Sequence, residues 1–368
     1  MPRHLNFAIT SALASIGMGL QRRAGEVGLM KANAQRALGA IVLRLLCLSA
    51  LLPASVLAQQ LWFAPGDDLE VKGIISHPDF PRLFDDPSVW PTGLAHVNVF
   101  QFRAPYLARK PEESARYYGF LKAHHVEIGV AMTVLPAESC GQGIEGTLPR
   151  RNIADYPRRI KAIAGIDIDF VVMDEPLFYG HDYNGKNACN FSIADIAKGV
   201  ADSVATIRSY HPHAKFILVE PEQVLSGGPA ELGEFLDGYR AIVQEYPFSV
   251  RFDVLWNRDW RSQLPPFIAM LKARNVGYGV IFNAMGNIKE DYAWVAAAEE
   301  NARDFVASIH TKPDHIVIQT WQPNPLRNVP ESDRDTMTGY LKLLIEHGSV
   351  TWTAQNHEPA TGPLLHAP

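Results

Sequence analysis

Eight short apolar runs alternate with helix-like segments over most of the chain, and this alternation constrains the fold more than any other feature. The runs lie at 61–65, 96–102, 127–134, 170–176, 216–220, 252–256, 278–282 and 315–321. Between and after them come a short turn at 79–84 and helical patterns at 111–124, 156–164, 192–210, 229–246, 264–274, 290–310 and 335–347. Repeated strand–helix units imply a parallel sheet with right-handed crossovers, and eight of them in about 290 residues suit a closed (β/α)8 TIM barrel. An open doubly wound sheet would carry a Gly-rich phosphate turn after its first strand, and Ala64-Pro65-Gly66-Asp67-Asp68 is not one. With no internal repeat and no linker, residues 59–350 read as one α/β domain, followed by a loose Pro/Ala/Thr tail at 351–368.

Residues 1–58 have a different composition. Arg3, Arg22, Arg23, Lys31, Arg36 and Arg44 face one acid, Glu26. From Met30 the pattern is that of a secretory signal: Lys31 and Arg36, an apolar stretch at 38–52, and Val56-Leu57-Ala58 as a small-residue cleavage site. Met30 is therefore read as the start. Arg44 and Pro53 leave too short an apolar run for a membrane anchor, and Leu46 before Cys47 is too large for a lipoprotein signal. Cleavage would reduce the 34 basic and 39 acidic residues to 28 and 38, a surface that repels nucleic acid and anionic membranes. A periplasmic or secreted monomer, free of the membrane once processed, is expected.

Of three cysteines, Cys140 and Cys189 remain after cleavage, and export favours a disulfide between them. Neither lies in a metal-binding spacing, His124-His125 falls at a helix end and His211-Pro212-His213 at a helix-to-strand turn, so no metal or cofactor is expected.

The chemistry concentrates where strands end. In 170–176, FVVMDEP, four apolar residues need burial on both faces, two acids follow, and proline stops the ladder. Barrel enzymes carry catalytic groups at the C-terminal ends of strands. That rim would hold Asp174 and Glu175 after the fourth strand and Glu220 after the fifth. It would also hold Gln101 and Arg103 after the second, Trp256 and Asn257 after the sixth, Asn283 after the seventh, and Gln319 and Trp321 after the eighth, with Tyr179 in the loop beyond Glu175. Carboxylates can divide acid and base work at a sugar acetal, indole rings stack on sugar faces, and amides bond hydroxyls. Each acid could equally cap a helix or pair with Arg103, and Glu222, past its proline, reads as a solvated loop acid.

Asp174-Glu175-Pro176 resembles the Asn-Glu-Pro acid/base motif of retaining barrel glycoside hydrolases, and the eight-unit layout covers nearly all of the processed chain. Those families place a nucleophilic Glu at the end of strand seven, where this chain reads Ile281-Phe282-Asn283-Ala284. The departure points to Glu220 as partner. An Asp-Glu pair after strand four with a Glu after strand five is similar to spherulin-4-like polysaccharide hydrolases. The resemblance implies an exported hydrolase of an oligo- or polysaccharide. The rival expectation is a non-catalytic carbohydrate-binding barrel accessory to exopolysaccharide metabolism, with the aromatic rim but no effective acid pair.

Overall fold

The computed structural model describes residues 59–70 and 76–348. The signal, its cleavage site, Met30 and the tail lie outside the described residues. Eight parallel strands close into a barrel. They are β1 (Gln60–Ala64), β2 (Val99–Arg103), β3 (Glu127–Met132), β4 (Phe170–Asp174), β5 (Lys215–Glu220), β6 (Ser249–Phe252), β7 (Gly277–Phe282) and β8 (His315–Gln319). Each pairs with its neighbours in chain order, and β1 closes the ring on β8, with Leu61 level with Ile316. The expected TIM barrel is the observed fold.

Alternation along the strands sorts side chains between two cores. Trp62, Val99, Phe170, Val172, Ile217, Val219, Ile281 and Val317 fill the barrel, whereas Phe63, Phe100, Val171, Met173, Leu218, Phe252 and Phe282 face the surrounding helices. Those helices include Pro111–Ala123, Ile193–Arg208, Gly228–Val243, Trp260–Ala273, Asp291–Ser308 and Met337–Glu346. Ser192 caps the second of these by accepting from Asp195 N. Glycine makes room in the centre: a Cβ at Gly129 would lie 2.7 Å from the Trp62 ring, and one at Gly279 2.1 Å from His315 Nε2.

The sixth strand corrects the sequence reading. It spans Ser249–Phe252 rather than 252–256, and it carries Arg251, fully buried inside the barrel. A hydropathy pattern rejects arginine there. The fold accepts it because the guanidinium stacks 4.4 Å from the Trp62 ring centroid and donates to Gln101 Oε1 at 2.5 Å and His315 Nε2 at 3.2 Å. Two further differences are local. His96, expected to open the second strand, ends the helix Pro91–His96, and the strand starts at Val99; several short helical turns interrupt the strict alternation.

Candidate active site

Strand β4 delivers Asp174 and Glu175 by different means. Asp174 has the parity of Phe170 and Val172, so it points up the barrel axis into the C-terminal mouth. Glu175 follows the strand directly with φ of +45°, a left-handed conformation costly for a side-chain-bearing residue and characteristic of sites where geometry is enforced. Its N–H still donates to Val219 O (3.1 Å) and its C=O accepts from Tyr179 N (3.2 Å), fixing the bend between ladder and following turn. Both acids are partly buried.

The shifted sixth strand brings in an acid that the sequence reading enclosed within a strand. Asp253 follows Phe252, shares the parity of Arg251, and is anchored by its N–H on Glu220 O at 3.1 Å. The position mirrors Asp174 two strands away. A strand assignment based on in–out parity rather than apolar content would have found it, since Arg251 and Asp253 alternate with Val250 and Phe252.

Burial and mutual repulsion set the charges. Glu175 is pushed well above the usual carboxyl range, first by burial and then by the charges of Asp253, Asp174, Glu220 and Glu145. Asp174 is pushed up to about 7 by burial and by Glu145 and Asp253, with Arg251 pulling the other way. Asp253 is raised less far than Glu175; burial lifts it while the Asn283 amide and Arg251 favour its anion. Glu175 therefore holds its proton most tightly, and Asp253 gives up its proton more readily.

Glu220 does not join this group as expected. The parity that turns Ile217 and Val219 inward turns Glu220 outward, to complete burial. There its Oε1 accepts from Leu177 N (2.8 Å) and its Oε2 from Phe178 N (3.0 Å). It holds the turn that follows Glu175. Two neighbouring Glu-Pro sequences suggested equivalent positions, but the left-handed residue at 175 breaks the equivalence. Glu222, read as a solvated acid, is also buried, with neither carboxylate oxygen hydrogen-bonded to another residue, and is pushed up to about 8.

Other candidates divide between core and rim. Trp256, expected to face substrate, is in the core, packed at 5.4 Å on Trp260, with Nε1 donating to Asn283 Oδ1 at 2.8 Å. That bond holds Asn283, itself buried, with its amide turned toward Asp253. Gln101 is committed to Arg251 rather than to the mouth. Arg103 forms a bidentate pair with Asp67 at 2.7 and 2.5 Å and does not neutralise the central acids; Asp68 is likewise held by Lys110 at 2.6 Å. Asn257 is exposed, and Trp321 is 56% exposed at the end of β8. Gln319 has inward parity and a buried Oε1 with no donor.

The loop between β3 and β4 builds a wall beside Glu175. Cys140 and Cys189 form the expected disulfide, with Cα atoms 5.1 Å apart. Gly141 N donates to Asn187 O and Asn187 Nδ2 to Gln142 O alongside it, at 2.8 and 2.9 Å. The loop then runs against the turn after β4. A Cβ at Gly146 would lie 2.8 Å from Tyr179 Cβ and 2.9 Å from Glu175 O, and Tyr179 Oη donates to Glu145 Oε2 at 3.1 Å. Glu145 and Tyr179 are thus fixed over the acids; the Tyr179 ring meets Phe178 edge-on and Tyr183 at a tilt, with centroids 5.0 and 5.6 Å away.

No protein-family model matches the chain, and no curated protein matches it. Among solved structures, it is similar to a GH10 endoxylanase from a sugarcane soil metagenome (12% identity, TM-score 0.46, covering 78% of this chain and 96% of that one). It is also similar to a β-mannanase from Thermomonospora fusca (11%, 0.42, 71% and 78%) and a D-psicose 3-epimerase (9%, 0.41, 78% and 97%). The likeness is one of barrel fold alone.

Proposed function

We propose that the protein is an exported glycoside hydrolase acting on an oligo- or polysaccharide. What supports the reading is position: Asp174 and Asp253 share inward parity at the ends of β4 and β6, and Asp253 lies close enough to Asp174 and Glu175 to raise the proton affinity of both. Glu175, kept protonated, donates to the departing glycosidic oxygen. Asp253, ionised and backed by Arg251, serves as base or nucleophile. Asp174 and Glu145 keep the Glu175 proton in place by repulsion. Gln319 offers an unused hydrogen-bonding oxygen to sugar hydroxyls, Asn283 holds Asp253 from behind, and Trp321, Tyr179 and Asn257 form the outer contacts. So many acids disfavour an acidic sugar.

A carbohydrate-binding barrel without activity is the competing reading, and it predicts central acids neutralised by cations. Arg103 is turned away to Asp67, and Arg251, whose charge favours the Asp174 and Asp253 anions, is hydrogen-bonded to Gln101 and His315 and forms no ion pair with either acid, which favours the enzyme. Export is supported by the disulfide, and the described residues contain no helix long and apolar enough to cross a membrane. The test is release of new reducing ends by the purified processed protein from a panel of neutral polysaccharides. Release supports hydrolysis; sugar binding without release supports the binder.

A further inference from the structure

We propose that His181, Asp182 and Glu231 form a binding site for a divalent transition-metal ion of the zinc or manganese class. His181 and Asp182 end the π-helical turn Phe178–Asp182 after β4, and Glu231 lies in the first turn of the helix Gly228–Val243 after β5. One ring nitrogen and one oxygen from each carboxylate lie within 4.8 Å of one another. Donors placed about 2.1 Å from an ion in a tetrahedron are about 3.4 Å apart, so a contraction of at most about 1.4 Å in any pair closes the set. The sequence gives no hint of it, because 49 residues separate two of its three members.

The second line of support is that donor atoms are already in place and unused. Glu231 is 5% exposed and its Oε1 accepts from no N–H or O–H donor; Asp182 Oδ2 is buried and likewise lacks a donor, and the two carboxyl groups face each other closely enough to share a proton. Glu231 is pre-aimed, since Oε2 accepts from Gly227 N at 2.6 Å. His181 Nδ1 lies 2.6 Å from Phe191 O and can only donate to it. That fixes the neutral tautomer with a lone pair on Nε2, the form that ligates metal. Two carboxylates and a neutral imidazole balance a dication, and this mixed donor set suits zinc or manganese better than calcium. His181 and Asp182 are partly open to solvent, giving the ion a route in.

An ion here would join the β4 turn to the β5 helix. The same turn begins with the N–H groups held by Glu220. Its role is to fix the backbone beyond Glu175 without touching substrate. The alternative is that Asp182 and Glu231 share a proton and bind nothing.

The test is calorimetric titration of the chelator-treated full chain with Zn²⁺ and, separately, Mn²⁺ at pH 7.5, with thermal unfolding measured in parallel. We expect one ion per chain, a micromolar or tighter Kd for at least one metal, and a raised Tm. Glu231→Gln and His181→Gln should each weaken binding by about 100-fold or more, while His213→Gln, at a surface histidine, leaves it unchanged. Both variants should match the Tm of the metal-free parent within a few degrees, so that lost binding is not lost folding. Absence of binding below about 1 mM, or binding that survives both substitutions, would overturn the proposal in favour of a shared proton.

Discussion

Glu220→Gln separates a supporting role from a catalytic one. The carboxylate accepts two backbone N–H bonds, 2.8 Å from Leu177 N and 3.0 Å from Phe178 N, in a fully buried position. Glutamine has the same shape but one acceptor; its NH₂ would face one of these N–H groups, donor against donor. The loss is one buried hydrogen bond, about 0.5–1.5 kcal/mol, plus the cost of an unsatisfied buried N–H, about 1–3 kcal/mol. Together the destabilisation should be about 1.5–4.5 kcal/mol. Urea unfolding of parent and variant measures it: at an m-value of about 3 kcal/mol/M, the midpoint should fall by about 1 M with m unchanged. Activity should fall only as far as the loosened turn disturbs Glu175. An unchanged midpoint combined with abolished turnover would refute the reasoning and return Glu220 to the chemistry.

Three further outcomes are expected. Asp174 and Glu222 have folded pKa values of about 7 and 8, above their unfolded values, so the native state holds protons that the unfolded chain releases. Stability should therefore be greatest near pH 4–5 and fall toward pH 8, by at most about 1.4 kcal/mol per pH unit for each group and less for the partly open Asp174. Urea midpoints that rise between pH 5 and 8 would contradict this, and Glu222→Leu should flatten the decline. Replacing Cys140 and Cys189 by alanine opens a loop with a sequence separation of 49, costing at most about 4 kcal/mol on the chain-entropy model; a Tm within about 1 °C of the parent would rule out that contribution. Arg251→Met removes the cation that favours ionised Asp253 and Asp174, so the acid limb of the pH–rate profile should move up by about one unit. A limb that stays in place would show that the buried charge does not tune the site.

Much of the barrel was legible because parallel strands covered on both faces read as continuous apolar runs, as in Phe170–Asp174 and Gly277–Phe282. The failures share one cause. Val254, Leu255 and Trp256 are more apolar than Ser249, Val250 and Arg251, so the apolar signal placed the sixth strand too far along and hid Asp253. Arg251 becomes acceptable only once Trp62 and Gln101, from distant parts of the chain, surround it. Glu220 failed for a related reason: a Glu-Pro pair fixes the strand end but not the face, and the left-handed backbone at Glu175 is invisible in composition. Trp256 shows the same limit, since the side on which an indole packs depends on partners such as Phe282 and Phe305. The disulfide was readable because two cysteines leave one pairing.

The central claim is that Glu175 and Asp253 form the working pair at the barrel mouth. It is tested most directly by the rate of reducing-end release from one cleaved polysaccharide, compared among the parent, Glu175→Gln and Asp253→Asn. The account predicts that each substitution lowers kcat by at least about 100-fold while sugar binding and the unfolding midpoint stay near those of the parent. Turnover within a few-fold of the parent in either variant would contradict it.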